Sequence, residues 1–418
     1  MSDRRLSVAL VAPNLNGDGL GEVYSIFQLV EALCEEADVT VFTISISDQR
    51  PLAEQLPKAR VFAVQEPDFF RKRFERFNSM AKPALPFFFR WARRKIAAEM
   101  ASGHHFDIAH QILPQAMRFP CPLRHLGLPY VIGPLGGSLE TPPAFQDEVG
   151  SAGALFTKLR ALDRPRLRHD PWLRSGYAKA DLILGVAPYI GDTLREAGIP
   201  VRRFEPVLER GSPGALPTID RQGNKGQAKL LHVGRVVRTK ALRDVVRALA
   251  QLKDLPGVTL TSAGDGEDLE TCRAEAEALG VADRVTFLGR IPREEVDTLY
   301  READIFAFPS FREPMGGVFF EAMSFGLPVI AAARGGPDFI IDDSCGLRLP
   351  VETPDQFATA IAGAIRTLAE DPDKRLAMGR AAQARLNSFG NWSDKARSLV
   401  GLYREAIDTH GTRGAQVA

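Results

Sequence analysis

The stretch from Asp304 to Ala332, DIFAFPSFREPMGGVFFEAMSFGLPVIAA, constrains the fold more than any other part of the chain. Asp304 to Phe308 is a short apolar run that stops at Pro309-Ser310, the pattern of a buried strand. A loop follows and carries Glu313. Gly316-Gly317 opens a helix, Val318 to Phe325, which Gly326 closes; Pro328 then precedes a second apolar strand, Val329 to Ala332. The start of that helix aims bare backbone N–H groups at the loop beyond a strand end, a natural seat for an anion. Glu313 stands before the helix and Glu321 one turn inside it. Phosphates on the amides and hydroxyls on the two carboxylates would fill such a place, and a sugar nucleotide carries both. Taken alone, the two acids also read as surface residues of any α/β protein.

The rest of the chain repeats this alternation. In the second half, Lys229–Val233, Val258–Ser262 and Val285–Leu288 read as strands, and Ala241 to Leu252 as a helix. Arg235 and Lys240 flank the loop between the first of these strands and that helix. Two cations at a helix entry would neutralise a diphosphate; two solvated loop cations are the plain alternative. In the first half, Ser7–Ala12 reads as a strand, followed by a loop with Gly17, Gly19 and Gly21 and a helix from Val23 to Cys34. That spacing is Gly-x-Gly-x-Gly, not the dinucleotide pattern Gly-x-Gly-x-x-Gly. The next strand, Val39–Ile46, offers no acid for a ribose before Asp48, which also counts against a nicotinamide enzyme. Further strands are read at Phe106–His110, Tyr130–Gly133 and Asp181–Val186. His110, at a strand end, is either a site group or a packed one. Leu208 to Ala228 is rich in Gly, Pro and polar residues and reads as a linker, and Trp392 to Ile407 as a closing helix. The prediction is an α/β protein of two doubly wound, Rossmann-like domains, 1–208 and 229–388, with a linker at 209–228.

Composition excludes several classes. The 418 residues are 45% hydrophobic and 25% charged, enough apolar content for two cores. A net charge of +1 gives no global field for nucleic acid. Cys34, Cys121, Cys272 and Cys345 are scattered, which argues against a disulfide framework or zinc cluster and suits a reducing cytoplasm. The first apolar run is too short for a signal peptide, and no stretch approaches a membrane span. Residues 69–96 mix Arg71, Lys72, Arg73 and Arg76 with phenylalanines, then Phe87-Phe88-Phe89-Arg90-Trp91 with Arg93-Arg94-Lys95. Such a segment suits a peripheral membrane contact or an anionic acceptor; the plain reading is a core helix with one solvated face.

Glu313, seven residues, Glu321-Ala-Met, then Gly-x-Pro-Val-Ile-Ala resembles the donor-binding signature of retaining glycosyltransferases of family 4, which have the GT-B fold. Glu313-Pro314-Met315-Gly316 stands where that family reads Glu-Gly-Phe-Gly, so Pro314 and Met315 depart from it. Gly234-Arg235 to Lys240 matches the family's Gly-Arg-x-x-x-x-Lys. The family's glycine loop near the donor diphosphate has two adjacent glycines; here Leu20 separates Gly19 from Gly21. Where the family often has Asp-x-x-His-x-His, Gln111 and Ile112 follow His110. The resemblance implies transfer of a sugar from a nucleotide diphosphate sugar to a glycan or lipid-linked acceptor, with retained configuration, in cell-surface polysaccharide or glycolipid synthesis. It implies that Arg235, Lys240 and helix-end amides hold the leaving diphosphate, with Glu321 on the ribose and Glu313 on the sugar. Met315, Gly316, Gly317 and Val318 would line the donor, with Gly264 and Ile291 near the base. No protein nucleophile, metal or other cofactor is expected, and residues 389–418 are expected to return to the first domain. A sugar-nucleotide epimerase and a non-catalytic sugar-nucleotide binder remain the alternatives.

Overall fold

The computed structural model describes residues 4–417 except 20, 47–48, 67–68, 70–83, 150–162, 220 and 222. It divides into two compact units. The first holds a sheet of seven parallel strands: β1 (Ser7–Val11), β2 (Asp38–Ser45), β3 (Arg60–Gln65), β4 (Ile108–Gln111), β5 (Tyr130–Leu135), β6 (Leu182–Gly185) and β7 (Phe204–Pro206). Their order is β3-β2-β1-β4-β5-β6-β7. The second holds six: β8 (Gln227–Val233), β9 (Gly257–Ala263), β10 (Val285–Gly289), β11 (Ile305–Ala307), β12 (Val329–Ala332) and β13 (Gly346–Leu349), in the order β10-β9-β8-β11-β12-β13. Both sheets are doubly wound, with the chain turning back beside the central strand, as the alternating pattern predicts.

Central strands are legible because both faces are covered. In β1 and β4 nearly every residue is buried; β1 reads as an apolar run from Val8 to Val11, while β4 is apolar at Ile108 and Ala109 and ends in the buried polar pair His110 and Gln111. In the first unit they pack with the helix Glu22–Glu36 and with the helix Trp392–Val417, whose Ala396, Leu399, Val400, Tyr403 and Ala406 join the same core. In the second unit the helices Leu242–Ala250 and Pro354–Glu370 cover the sheet through Val245, Val246, Leu249, Phe357, Ile361 and Ile365.

Chain segments are shared between the units in a way the domain reading does not anticipate. Residues 139–149 group with the second unit, although they follow β5 of the first. Phe145, with no exposure, belongs to the second core and meets Phe311 at 4.6 Å between ring centroids. The stretch read as a linker is docked rather than free. The guanidinium of Arg221 donates to the carbonyls of Ala303, Tyr300 and Phe325 at 2.6–2.7 Å.

Of the basic, aromatic segment 69–96, residues 70–83 lie outside the described residues. From Leu85 to Ala101 it is a helix that buries Leu85, Phe88, Phe89, Ala92 and Ile96 and leaves Arg90 and Arg94 exposed. No helix among the described residues is long and apolar enough to cross a membrane.

Candidate active site at the carboxyl edge of the second sheet

The loops that follow β8, β9 and β10 are joined by their backbones. Gly234 N–H donates to Ala263 O and Val236 N–H to Asp265 O, both at 3.0 Å, and Gly264 N–H donates to Gly289 O at 2.8 Å. The approach is so close that Gly264 cannot be replaced in place: its φ is 145°, and a Cβ there would fall 1.8 Å from the carbonyl oxygen of Gly234. Gly264 thus serves the fit between loops. Ile291, just past β10, is half-buried.

Lys240 ends a short turn, Arg238–Lys240, before the helix Leu242–Ala250. Its ammonium donates to Glu313 Oε2 and lies 5.4 Å from the centroid of the Phe308 ring. Arg235 sits in the same loop with its side chain exposed. The loop after β11 brings Glu313 to this lysine. Its shape is held from behind, where Gly336 N–H donates to Glu313 O at 3.0 Å and Arg334 reaches the Phe311 and Glu140 carbonyls. The turn after β12 is a short helix, Gly335–Ile340, and it serves as that support.

Gly316 caps the helix Gly317–Ser324 with φ at 93° and no side-chain cap, so no side-chain oxygen covers the first amides. A Cβ on Gly316 would come within 2.5 Å of the Phe319 ring and 2.9 Å of Glu313 Cγ. Met315 is buried behind this turn, and Gly317 and Val318 are half-buried at its front. One turn on, Glu321 Oε2 accepts from Arg293 Nη1 at 2.7 Å and from the Tyr300 hydroxyl at 3.3 Å. One edge of the sheet therefore presents two cations, two carboxylates and an uncapped helix start.

Arg238 is a residue that sequence reasoning missed. It is 2% exposed, lies between the Phe145 and Phe311 rings, and grips Asp244 with both terminal nitrogens, at 2.5 and 3.0 Å. Its Nε donates to Glu148 at 2.7 Å. One buried guanidinium thus ties the Lys240 turn to the loop carrying Glu313. Its partner Glu148 lies 90 positions away in the chain, so no local spacing signals it.

The other predicted residues lie in the first unit. Gly19 N–H donates to Asn16 O at 3.2 Å, and Gly21, with φ at 61°, caps the helix Glu22–Glu36 beyond β1. His110 takes the packed alternative and not the site role. It has no exposure; Nε2 donates to Gly133 O at 2.6 Å, which leaves Nδ1 to accept from the Tyr403 hydroxyl at 2.6 Å. Burial pushes its pKa down to about 4, so the ring is neutral. Both nitrogens are used in holding β4 and β5 to the closing helix.

Residues 218–385 match the family model of glycosyl transferases group 1. The chain is 34% identical over 227 residues to a D-inositol 3-phosphate glycosyltransferase of Corynebacterium jeikeium, covering 52% of each chain. It is 28% identical over 258 residues to a glycogen synthase of Mycobacterium tuberculosis, covering 61% of this chain and 59% of that one. The match thus spans about half the length of these curated relatives. Among solved structures, sucrose-phosphate synthase from Thermosynechococcus elongatus superposes with a TM-score of 0.66 at 23% identity, over 97% of this chain and 100% of that one. Anabaena Alr3699/HepE in complex with UDP and glucose superposes with a TM-score of 0.57 at 18% identity, over 95% and 99%. This likeness is one of fold: two Rossmann-like, parallel-sheet units with GT-B glycosyltransferases as structural neighbours.

Proposed function

We propose that the protein is a glycosyltransferase that moves a sugar from a nucleotide diphosphate sugar to a glycan or lipid-linked acceptor with the anomeric configuration retained. The observation that carries this reading is the Lys240–Glu313 pair set against an uncapped helix start. An incoming diphosphate offers Lys240 a second anionic partner. Its ammonium would pass from Glu313 to the phosphates, joined by Arg235 and the amides of Gly317 and Val318. Glu313, released from the lysine, would accept from the sugar hydroxyls, and Glu321 from the ribose. As the glycosidic C–O bond breaks, negative charge grows on the diphosphate, where fixed cations and amides stabilise it most. With two cations at the leaving group, no metal or protein nucleophile is required in this scheme. The UDP and glucose bound by Alr3699/HepE support a uridine diphosphate sugar as the first donor to try. A lipid-linked acceptor would give the basic, aromatic stretch 69–96 its use.

Lys240→Ala tests the reading. Sugar transfer, followed by release of nucleotide diphosphate against a panel of donors, is expected to lose roughly two to three orders of magnitude in kcat/KM. Near-normal turnover would remove Lys240, and the scheme with it. The anomeric configuration of the product, read by NMR coupling constants, decides retention.

A further inference from the structure

We propose that His232, on β8, is a positioning residue that sets the Lys240 turn for its work on the donor; the proposal rests on the reading of Lys240 given above. His232 has no exposure. Its Nε2 lies 3.1 Å from the carbonyl oxygen of Lys240, eight residues on. A carbonyl only accepts, so Nε2 carries the proton and donates, and Nδ1 keeps its lone pair. Burial holds the ring neutral, with its pKa pushed down to about 4.

The bond meets the chain at a decisive point. Lys240 O precedes Ala241, whose φ of 61° reverses the backbone into the helix Leu242–Ala250. A side-chain donor on that carbonyl orients the peptide plane at this reversal, and with it the origin of the Lys240 side chain. Two neighbours act on the same turn. The Ser310 hydroxyl donates to Thr239 O at 3.0 Å. The Phe308 ring lies 4.9 Å from the His232 ring and 5.4 Å from Lys240 Nζ, so one ring packs against both. The buried imidazole thus links the strand floor to the turn, and the Phe308 ring packs between that imidazole and the ammonium.

The other ring nitrogen argues that the histidine is not there for stability. Nδ1 is buried without a hydrogen-bond partner, and so is the hydroxyl of Ser262, its register partner on β9. A buried acceptor without a protein partner adds little to a fold, and an apolar ring of similar shape would fill the same space. What the histidine supplies and an apolar ring would not is the N–H aimed at Lys240 O.

The experiment compares His232→Phe, which keeps a ring without the donor, with His232→Gln, whose amide nitrogen can reach the same carbonyl. Each is assayed for kcat and donor KM and for its melting temperature, beside Lys240→Ala. His232→Phe is expected to lower kcat roughly tenfold to a hundredfold with an unchanged or higher melting temperature, and His232→Gln to recover most of the rate. If Lys240→Ala is inactive while His232→Phe turns over normally, the positioning role is overturned and the reading of Lys240 stands. If His232→Phe loses rate only in proportion to lost folded protein, or if Gln gives no recovery, the proposal also fails. An active Lys240→Ala overturns the reading beneath it instead.

Discussion

Glu209 is a carboxyl in a place that disfavours its charge. It is 2% exposed, its Oε2 has no hydrogen-bond partner, and burial with the nearby Glu22 raises its pKa well above the usual carboxylate range, against a smaller opposing pull from Arg210. In the folded protein it holds its proton at pH values where the unfolded chain has released it. Stability therefore falls as pH rises above about 4.5, toward the raised folded value. The buried histidines act the other way. His110 and His232 are neutral in the fold and protonated in the unfolded chain between pH 6.5 and about 4, so their share of stability is complete above pH 6.5 and lost as pH falls through that window. Glu209→Gln removes only the first effect. The variant is expected to melt at a higher temperature than the wild type at pH 8, with the gain shrinking toward pH 5. An equal gain at both pH values, or a loss at pH 8, would show that Glu209 is ionised in the fold.

At the scale of elements, the chain's most readable feature is also the one its site is built on. The helix Gly317–Ser324 follows a glycine that no other residue replaces without strain, and two acids bracket it. Gly316→Ala puts a methyl at a φ of 93°, against the Phe319 ring and Glu313 Cγ. Strain of about 1–3 kcal/mol is expected, relieved by moving Glu313 off its lysine. Calorimetric titration with a nucleotide diphosphate should show weakened binding as well as a lower melting temperature. Binding at wild-type strength would mean that the helix start does not seat the phosphates. Elements that escaped the sequence reading share a different character. β3 carries the apolar run Val61 to Val64 but is half-exposed along its length, while β7 has three residues and β13 opens with Gly346 and holds Arg348, so neither of those two forms an apolar run. The helix Pro372–Ser388 buries Arg375, Gly379 and Ala382 along with Met378 and Leu386, which blurs the apolar period. The candidate residues that the second unit gathers at one sheet edge were legible because glycines and charges lie close together in sequence. Arg238 and His232 were not, because each acts on backbone or charge that only the fold brings near.

For the whole molecule, the telling residues are those that belong to one half of the chain and stabilise the other. Residues 139–149 follow β5, yet Phe145 is buried in the second core, and Glu148 meets Arg238 at 2.6 Å and Arg247 at 3.0 Å. Periodicity cannot reveal this, since a lone phenylalanine after Pro142-Pro143 and before Gln146-Asp147-Glu148 looks the same wherever it packs. The placement has a thermodynamic consequence. Phe145→Ala opens a cavity beneath Phe311 and Phe357 and is expected to cost about 3–5 kcal/mol, all of it in the second unit. Hydrogen exchange followed by mass spectrometry separates the two units by peptide. Amides of β8, β9 and β11 should lose protection in the variant, while those of β1 and β4 keep theirs. The Lys240 turn should loosen with the second group, because the Phe145 ring is one of the two that enclose Arg238. Loss of protection confined to β1 and β4 would return residues 139–149 to the first unit and leave Arg238 without the aromatic wall that this packing gives it.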